Sequence, residues 1–399
     1  MDGRGIRDIA IVTVGRSDLG IYLPLLRAIQ ANPKLCLRVL VSGMHLSPEF
    51  GLTVREVEAA GFEVFERIES LVSSDTPGGI AKSIGLGVLG FAQLFSRYRP
   101  DILVLLGDRF DMLPAAVAAL PFRTPIAHLH GGEVTEGAMD EEIRHSITKM
   151  SHLHFVSNEQ YAKRLRQMGE EEWRIQVSGS PSLDSIKTAE LMSSQEVLSA
   201  FGIDPKAPSL LVTYHPVTLE AEGTECHITN LLGALEKVDV QCLFTYPNAD
   251  TNARMIIKNI KGYCATHPRS RVVKTAGQRG YYSLMKSVSA MVGNSSSGII
   301  EAASFELPVV NIGNRQRGRI QARNVINCGY QQDEIYEAIR EGLKPTFKAG
   351  LRGLSNPYGD GHAVERIVKR LTEVELDKKL LLKRFIDLPS DRHSCERSK

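Results

Sequence analysis

Residues 9–30 read IAIVTVGRSDLGIYLPLLRAIQ, and the reading of this stretch decides the fold. IAIVTVG is a short, almost wholly apolar run, which reads as a strand buried on both faces; LGIYLPLLRAIQ spaces Leu, Tyr and Ile at helical intervals. The unit repeats along the chain. CLRVLVSG (36–43) is a strand, TVREVEAAG (53–61) a helix with Gly61 as C-cap, and FEVFERI a strand. IAKSIGLGVLGFAQLFSRYRP reads as a helix ending before Pro100, DILVLLGD (101–108) as a strand and PAAVAALPF as a helix. PIAHLHGGE (125–133), EEIRHSITKMS, LHFVSN and YAKRLRQMGE continue the series. Near-continuous apolar strands joined by helical crossovers indicate a parallel sheet covered on both sides, a doubly wound α/β domain.

After VSGSPSLDSI (177–186) the pattern loosens into a polar stretch and resumes at LLVTYHP (210–216), followed by CLFTYPN (242–248), AMVGN and PVVNIG with helices between them. This is a second βα series of similar size. The expected organisation is an N-terminal Rossmann-like domain over 1–185, a linker over 186–207 and a C-terminal Rossmann-like domain over 208–362. Two such domains facing a cleft place ligands at the carboxyl ends of both sets of strands.

Composition narrows the class. The 399 residues are too many for one ordinary core, and 43% hydrophobic with 24% charged content is that of a globular protein. A formal charge of +2 gives no ground for expecting nucleic acid or an anionic membrane as partner. The N-terminus has no apolar leader pattern, and the longest apolar runs fall well short of the roughly 20 residues of a membrane helix, so a cytoplasmic location is expected. The cysteines at 36, 226, 242, 264, 328 and 395 lack zinc-type spacing and read as free thiols.

The chemistry-bearing motifs lie just after strands. GLGVLG (85–90) matches a dinucleotide fingerprint, but it continues the register of a helix and reads as packing glycines. VGRSDLG brings Arg16 to a helix N-terminus suited to a phosphate. In LGDRFD, Asp108 ends a strongly apolar strand, where partial burial would suit general acid/base work or, in the plainer reading, Asp108 caps the next helix. In AHLHGGEVTEGAMDEEIRHSITKMSHLH (127–154), His130, Glu133, Asp140, Arg144 and His145 gather around Gly131 and Gly132, as proton transfer requires. The H-x-H pairs there are weak metal signals without a third ligand. His215 in TYHPVT could donate to a phosphate. GNSSSGIIE (293–301) supplies hydroxyls and a helix N-terminus as an anion cradle, with Glu301 one turn further on to accept from ribose hydroxyls; Arg315, Arg317 and Arg319 follow on the same rim.

Taken together, GRSD, GDRFD, HLHGGE, DEEIRHSITKMSHLH, HPVT, YPNAD, GNSSSGIIE, IGNRQRGR and SNPYGDG resemble the hydrolysing UDP-N-acetylglucosamine 2-epimerases of sialic acid and related nonulosonic acid synthesis. The resemblance runs from about residue 8 to about residue 372. It implies a glycosyltransferase-B-like fold in which the final helix, 363–378, crosses back to the first domain; the stretch 379–399, rich in Lys, Arg and Ser, is expected to be a flexible tail. It also implies a homo-oligomer. The chemistry implied needs neither metal nor cofactor: UDP is eliminated to give 2-acetamidoglucal, and water then adds to give N-acetylmannosamine. Arg16, His215, Ser295, Ser296, Glu301 and Arg315 match UDP-contacting positions. Asp108, Glu133 and Asp140 match carboxylates of proton transfer, with Arg109, Arg144 and Asn248 near the sugar. Many members read H-x-E-G-G-E, and His130 occupies the first glutamate's place, which makes His130 or Glu133 the partner of Asp108.

UDP-N-acetylglucosamine is the first expected substrate, with UDP-N,N'-diacetylbacillosamine as the alternative. A non-hydrolysing epimerase, a retaining glycosyltransferase and a non-catalytic nucleotide-sugar sensor are more distant readings.

Overall fold

The computed structural model describes residues 5–387 apart from 73, 75, 137, 138 and 248–251, so Asn248 lies outside the described residues. The first sheet has seven strands: β1 (Arg7–Thr13), β2 (Leu35–Ser42), β3 (Val64–Ile68), β4 (Ile102–Leu106), β5 (Ile126–Leu129), β6 (Leu153–Val156) and β7 (Ile175–Val177). Their spatial order is β3-β2-β1-β4-β5-β6-β7, with every pairing parallel. The second sheet comprises β8 (Ser209–Thr213), β9 (Gln241–Thr245), β10 (Arg271–Val273), β11 (Ala290–Gly293), β12 (Val309–Ile312) and β13 (Val325–Cys328). Its order is β10-β9-β8-β11-β12-β13, again all parallel. The central strands are buried along their whole length because helices cover both faces, which is why they read as unbroken apolar runs. In each sheet the strand order reverses at the centre, between β1 and β4 and between β8 and β11, and ligands bind beyond the strand ends at such a switch.

Three segments differ from expectation. The second half of the expected linker is the helix Ser194–Phe201, opened by a capping box between Ser193 and Glu196. Its Val197 is fully buried with Leu211 and Leu243, so it belongs to the second domain's core. The expected flexible tail is anchored as far as Ile386, whose amide donates to the Gly169 carbonyl at 2.9 Å. Arg174, 1% exposed, donates to the carbonyls of Lys379, Leu380 and Leu382, and Lys383 pairs with Glu170. A fully buried guanidinium needs such acceptors, and the tail carbonyls supply them. Third, the helix Pro77–Arg97 has the length and apolar content to cross a membrane, which a search for unbroken apolar runs misses because glycines, Ser83 and Lys82 interrupt it. It buries Gly79, Ser83, Gly87, Phe91, Leu94 and Phe95 at helical spacing against the first domain. GLGVLG lies well inside this helix. A Cβ on Gly87 would come 2.8 Å from Pro114 and one on Gly90 2.5 Å from Ile68, so these glycines serve close packing.

The helix Ala363–Glu373 crosses back as expected. Ala363, Val364, Ile367 and Leu371 join the first domain's core beside Leu25 and Leu26, and Asp184 caps the helix through the amides of Ala363 and Val364, both at 3.0 Å. The cysteines at 36, 226, 242, 264 and 328 are free.

Candidate active site

β4 and β5 deliver the first half of the site. Beyond β4, Gly107 turns at φ +72° and Asp108 follows. His128, fully buried on β5, bridges the Gly107 carbonyl at 2.8 Å and Thr148 at 3.1 Å, which ties the Asp108 turn to the next strand. Burial pushes this imidazole down to about 3, so it acts as a neutral strut. The other members of the H-x-H pairs are likewise engaged. His152 accepts from the Ile126 amide at 3.1 Å, and His154 lies 2.8 Å from Glu170.

The Asp108 carboxylate contacts the Arg144 guanidinium, which the helix Asp140–Met150 presents from a 2% exposed position. Thr135 joins them: its hydroxyl accepts from Arg144 at 2.8 Å and lies 3.4 Å from Asp108. Beyond β5, His130 adopts φ +63°, a left-handed conformation rare outside glycine, and such strain collects at functional loops. The turn aims His130 Nδ1 at Glu133 Oε1, 2.6 Å away. Burial opposes charge on Glu133, but His130, Arg319 and the Ser157 hydroxyl outweigh it and hold the carboxyl below the usual range. Asp140 opens its helix in a half-buried position.

Arg319 comes from the other domain, in the segment after β12. It donates to the Val134 carbonyl at 2.8 Å and to Thr135 at 3.3 Å, and stands 3.8 Å from Glu133. The sequence placed Arg319 on the rim but gave it no role. Thr135, Ser157 and this cross-domain reach were not foreseen.

The second half is built on β8, β11 and β12. Gly293 ends β11 at φ +136°, and a Cβ there would come 1.9 Å from the Thr213 carbonyl, so only glycine lets the serine loop lie against the end of β8. Asn294, fully buried, clamps that loop to His215: it accepts from the His215 amide at 2.7 Å and donates to the His215 carbonyl at 2.8 Å. Arg315 and Gln316 both donate to the Asn294 carbonyl, at 3.0 and 2.9 Å. Ser295 caps the helix Ser296–Ile300, and Ser297 meets Tyr281 at 2.8 Å. That helix is a single turn with little dipole, so the cradle's positive charge comes from arginine side chains. His215 is buried, and burial first, then the charges of Arg315 and Arg109, hold its imidazole well below the usual range. Arg109, expected near the sugar, lies 3.9 Å from both Asp111 and the Met44 sulfur within the first domain, and its charge also reaches His215. Glu301 retains some exposed surface, but its carboxyl is enclosed, and burial raises it to about 7 against the pull of Ser182 and His130.

Arg16 is not drawn into either group. It opens the first helix, 41% exposed, and donates to Glu56 at 2.7 Å. The amides of Val14 and Gly15 beside it are occupied by Asp18, so part of the expected phosphate seat is filled by the protein's own carboxylate.

Two Rossmann-like domains whose strand ends meet across one cleft, with buried carboxylates on one side and arginines with a serine loop on the other, define a glycosyltransferase-B-like fold. The solved UDP-GlcNAc 2-epimerase of Neisseria meningitidis bound to UDP-GlcNAc shares it, with a TM-score of 0.78 at 17% identity over 92% of this chain and 100% of that one. The chain belongs to the UDP-N-acetylglucosamine 2-epimerase family, whose model matches residues 27–372. It is 39% identical over 385 residues (96% of this chain, 99% of the other) to the GDP/UDP-N,N'-diacetylbacillosamine 2-epimerase (hydrolyzing) of Campylobacter jejuni. It is 38% identical over 379 residues (95% and 99%) to the UDP-N,N'-diacetylbacillosamine 2-epimerase (hydrolyzing) of Legionella pneumophila. A UDP-N-acetylglucosamine 2-epimerase of Neisseria meningitidis is 32% identical over 389 residues (96% and 100%).

Proposed function

We propose that the protein is a hydrolysing 2-epimerase acting on UDP-N,N'-diacetylbacillosamine, releasing UDP and the free 2-epimeric sugar. The observation that carries the choice of sugar is the full-length similarity, which is greater to the two diacetylbacillosamine enzymes than to the N-acetylglucosamine enzyme. This reverses the order of the two substrates expected from the motifs.

The residues divide the work between the domains. A base on the first domain takes the proton from C2 of the sugar; that electron pair becomes the C1–C2 double bond as the anomeric C–O bond breaks and UDP leaves with its electrons. Water then adds at C1, and a proton returns to C2 on the opposite face. Two proton-transfer groups are needed, one for each face. Asp108, set by Arg144 and Thr135, is assigned to one and the His130–Glu133 pair to the other, with Asp140 at the edge of the same loop. The C2 proton is weakly acidic, so the barrier falls chiefly through stabilisation of the departing diphosphate. Arg315, Arg109, His215, Ser295 and Ser296 are assigned to that diphosphate, with Arg16 on the outer rim and Glu301 on the ribose. Arg319 holds the second domain against the acid/base loop, so that the leaving group and the base keep a fixed separation.

The test of the sugar is turnover on both candidate substrates. The diacetylbacillosamine form, with an acetamido group where N-acetylglucosamine has a hydroxyl, should be preferred in kcat/KM by about 100-fold. Equal or reversed values would return N-acetylglucosamine to first place.

A further inference from the structure

Two fully buried tyrosines stand where the domains meet. Tyr161 belongs to the helix Glu159–Gln167 of the first domain, and Tyr358 to SNPYGDG (355–361), the stretch that leads into the crossing helix. Their hydroxyls are 3.0 Å apart, and between them they engage both backbone groups of Ile320, the residue after Arg319. The Ile320 amide donates to Tyr161 at 3.3 Å, and Tyr358 donates to the Ile320 carbonyl at 2.9 Å. A phenol carries one proton, and that of Tyr358 is directed at the carbonyl, so Tyr161 is the donor between the two hydroxyls. The three bonds close a ring with one direction, from the Ile320 amide to Tyr161, from Tyr161 to Tyr358, and from Tyr358 to the Ile320 carbonyl. Burial, ahead of the nearby Glu133, raises both phenols above their ordinary range, so each keeps the proton it donates.

We propose that Tyr161 and Tyr358 are positioning residues: by fixing the backbone of Ile320 they aim the adjacent Arg319 at Glu133 and Thr135 of the other domain. The inference rests on the assignment of the loop after β5 to proton transfer.

Ile320 lies in the irregular stretch between β12 and β13, where neither a ladder nor a helix fixes the course of the chain. Its amide and carbonyl need other partners, and the two phenols supply them. The phenols are themselves held in place. The Tyr358 amide donates to the Asn356 side chain at 2.9 Å, Asn356 donates to the Ile300 carbonyl at 2.7 Å, and the Ser180 amide donates to the Tyr358 carbonyl at 2.8 Å. The helix that carries Tyr161 is joined to the acid/base loop, because Arg164 donates to the Gly132 carbonyl. A Cβ on Gly132 would come 2.7 Å from the Tyr161 carbonyl and 2.5 Å from Leu165, and Gly132 has φ +75°, so glycine lets the loop lie directly on that helix. The acid/base loop and Ile320 are thus both set against one helix. From that fixed point Arg319 reaches the Val134 carbonyl, the Thr135 hydroxyl and Glu133. Thr135 in turn stands against Asp108 and Arg144, so a shift of Ile320 would be felt at both proton-transfer groups.

The test is a double-mutant cycle in kcat on the UDP-sugar, with Tyr358→Phe, Arg319→Ala and the two combined, and with Tyr161→Phe as a second way to open the ring. Each Phe variant should lower kcat by about 10-fold, since displacing a catalytic array by about 1 Å can cost as much as about 100-fold. UDP affinity, measured by titration, should stay near that of the wild type, because the assigned nucleotide contacts lie elsewhere. Arg319→Ala should lower kcat by about 100-fold. Adding Tyr358→Phe to Arg319→Ala should change kcat no further, because the ring acts through Arg319; a general loss of packing would instead multiply the two effects. Losses that multiply in the double variant, or Phe variants with the kcat of the wild type, would overturn the positioning role. A wild type that releases no UDP from either candidate UDP-sugar would overturn the reading of the site itself, and with it the task given to Arg319.

Discussion

In Asp108→Asn, turnover is expected to fall by about a thousandfold while UDP affinity stays near that of the wild type. A positioned general base contributes about 10² to 10⁴ in rate, and an amide cannot accept the C2 proton. The substitution tests chemistry more than folding because the new side chain nearly matches the old in shape. Its carbonyl oxygen can still accept from Arg144, and Arg144 keeps Thr135 at 2.8 Å and Glu141 at 3.4 Å. Some loss of stability is expected even so, since Arg144 is 2% exposed and a buried guanidinium is costly without a counter-charge. UDP affinity should be spared because most of the assigned nucleotide contacts come from β8, β11 and β12. Steady-state turnover and UDP titration on the same preparation separate the two effects. Near-normal turnover would remove Asp108 from the chemistry, and lost UDP binding would point to a collapsed cleft.

The second large effect is the converse. Ser296→Ala combined with Arg315→Ala should weaken UDP binding by about 3 to 6 kcal/mol, because hydrogen bonds to charged groups contribute about 1.5 to 3 kcal/mol each. Most of this is assigned to Arg315, since the turn Ser296–Ile300 is too short for a strong dipole. Arg315 also braces the Asn294 carbonyl, but Gln316 braces the same oxygen, so the loop should keep its shape without it. Unchanged UDP affinity, measured by titration, would dismiss the cradle.

The parallel sheets were legible because a strand covered on both faces must be apolar throughout, and β4, ILVLL, has no alternation to misread. The positions of Asp108, Glu133, His215 and the serine loop were legible for a related reason: each follows the end of such a strand. What escaped the sequence is contact over distance. Arg319 and Glu133 are far apart in the chain, and nothing local announces that a loop of one domain will rest on Thr135 of the other. Asn294 looked like one more polar residue in GNSSSG, yet its side chain closes on both backbone groups of His215. The tail beyond residue 378 looked unstructured because its partners, Arg174 and Glu170, lie about 200 positions earlier. Nor does the sequence around Arg16 announce that Asp18 will occupy the neighbouring amides of Val14 and Gly15.

Central to the account is that one cleft both cleaves the sugar from UDP and inverts C2. Incubation with UDP-N,N'-diacetylbacillosamine in deuterated water, followed by analysis of the products, tests this directly. The expected products, formed without any acceptor, are UDP and a free reducing sugar of inverted C2 configuration carrying one deuterium at C2. A product still linked to UDP, or a free sugar with its original C2 configuration and no deuterium, would contradict it.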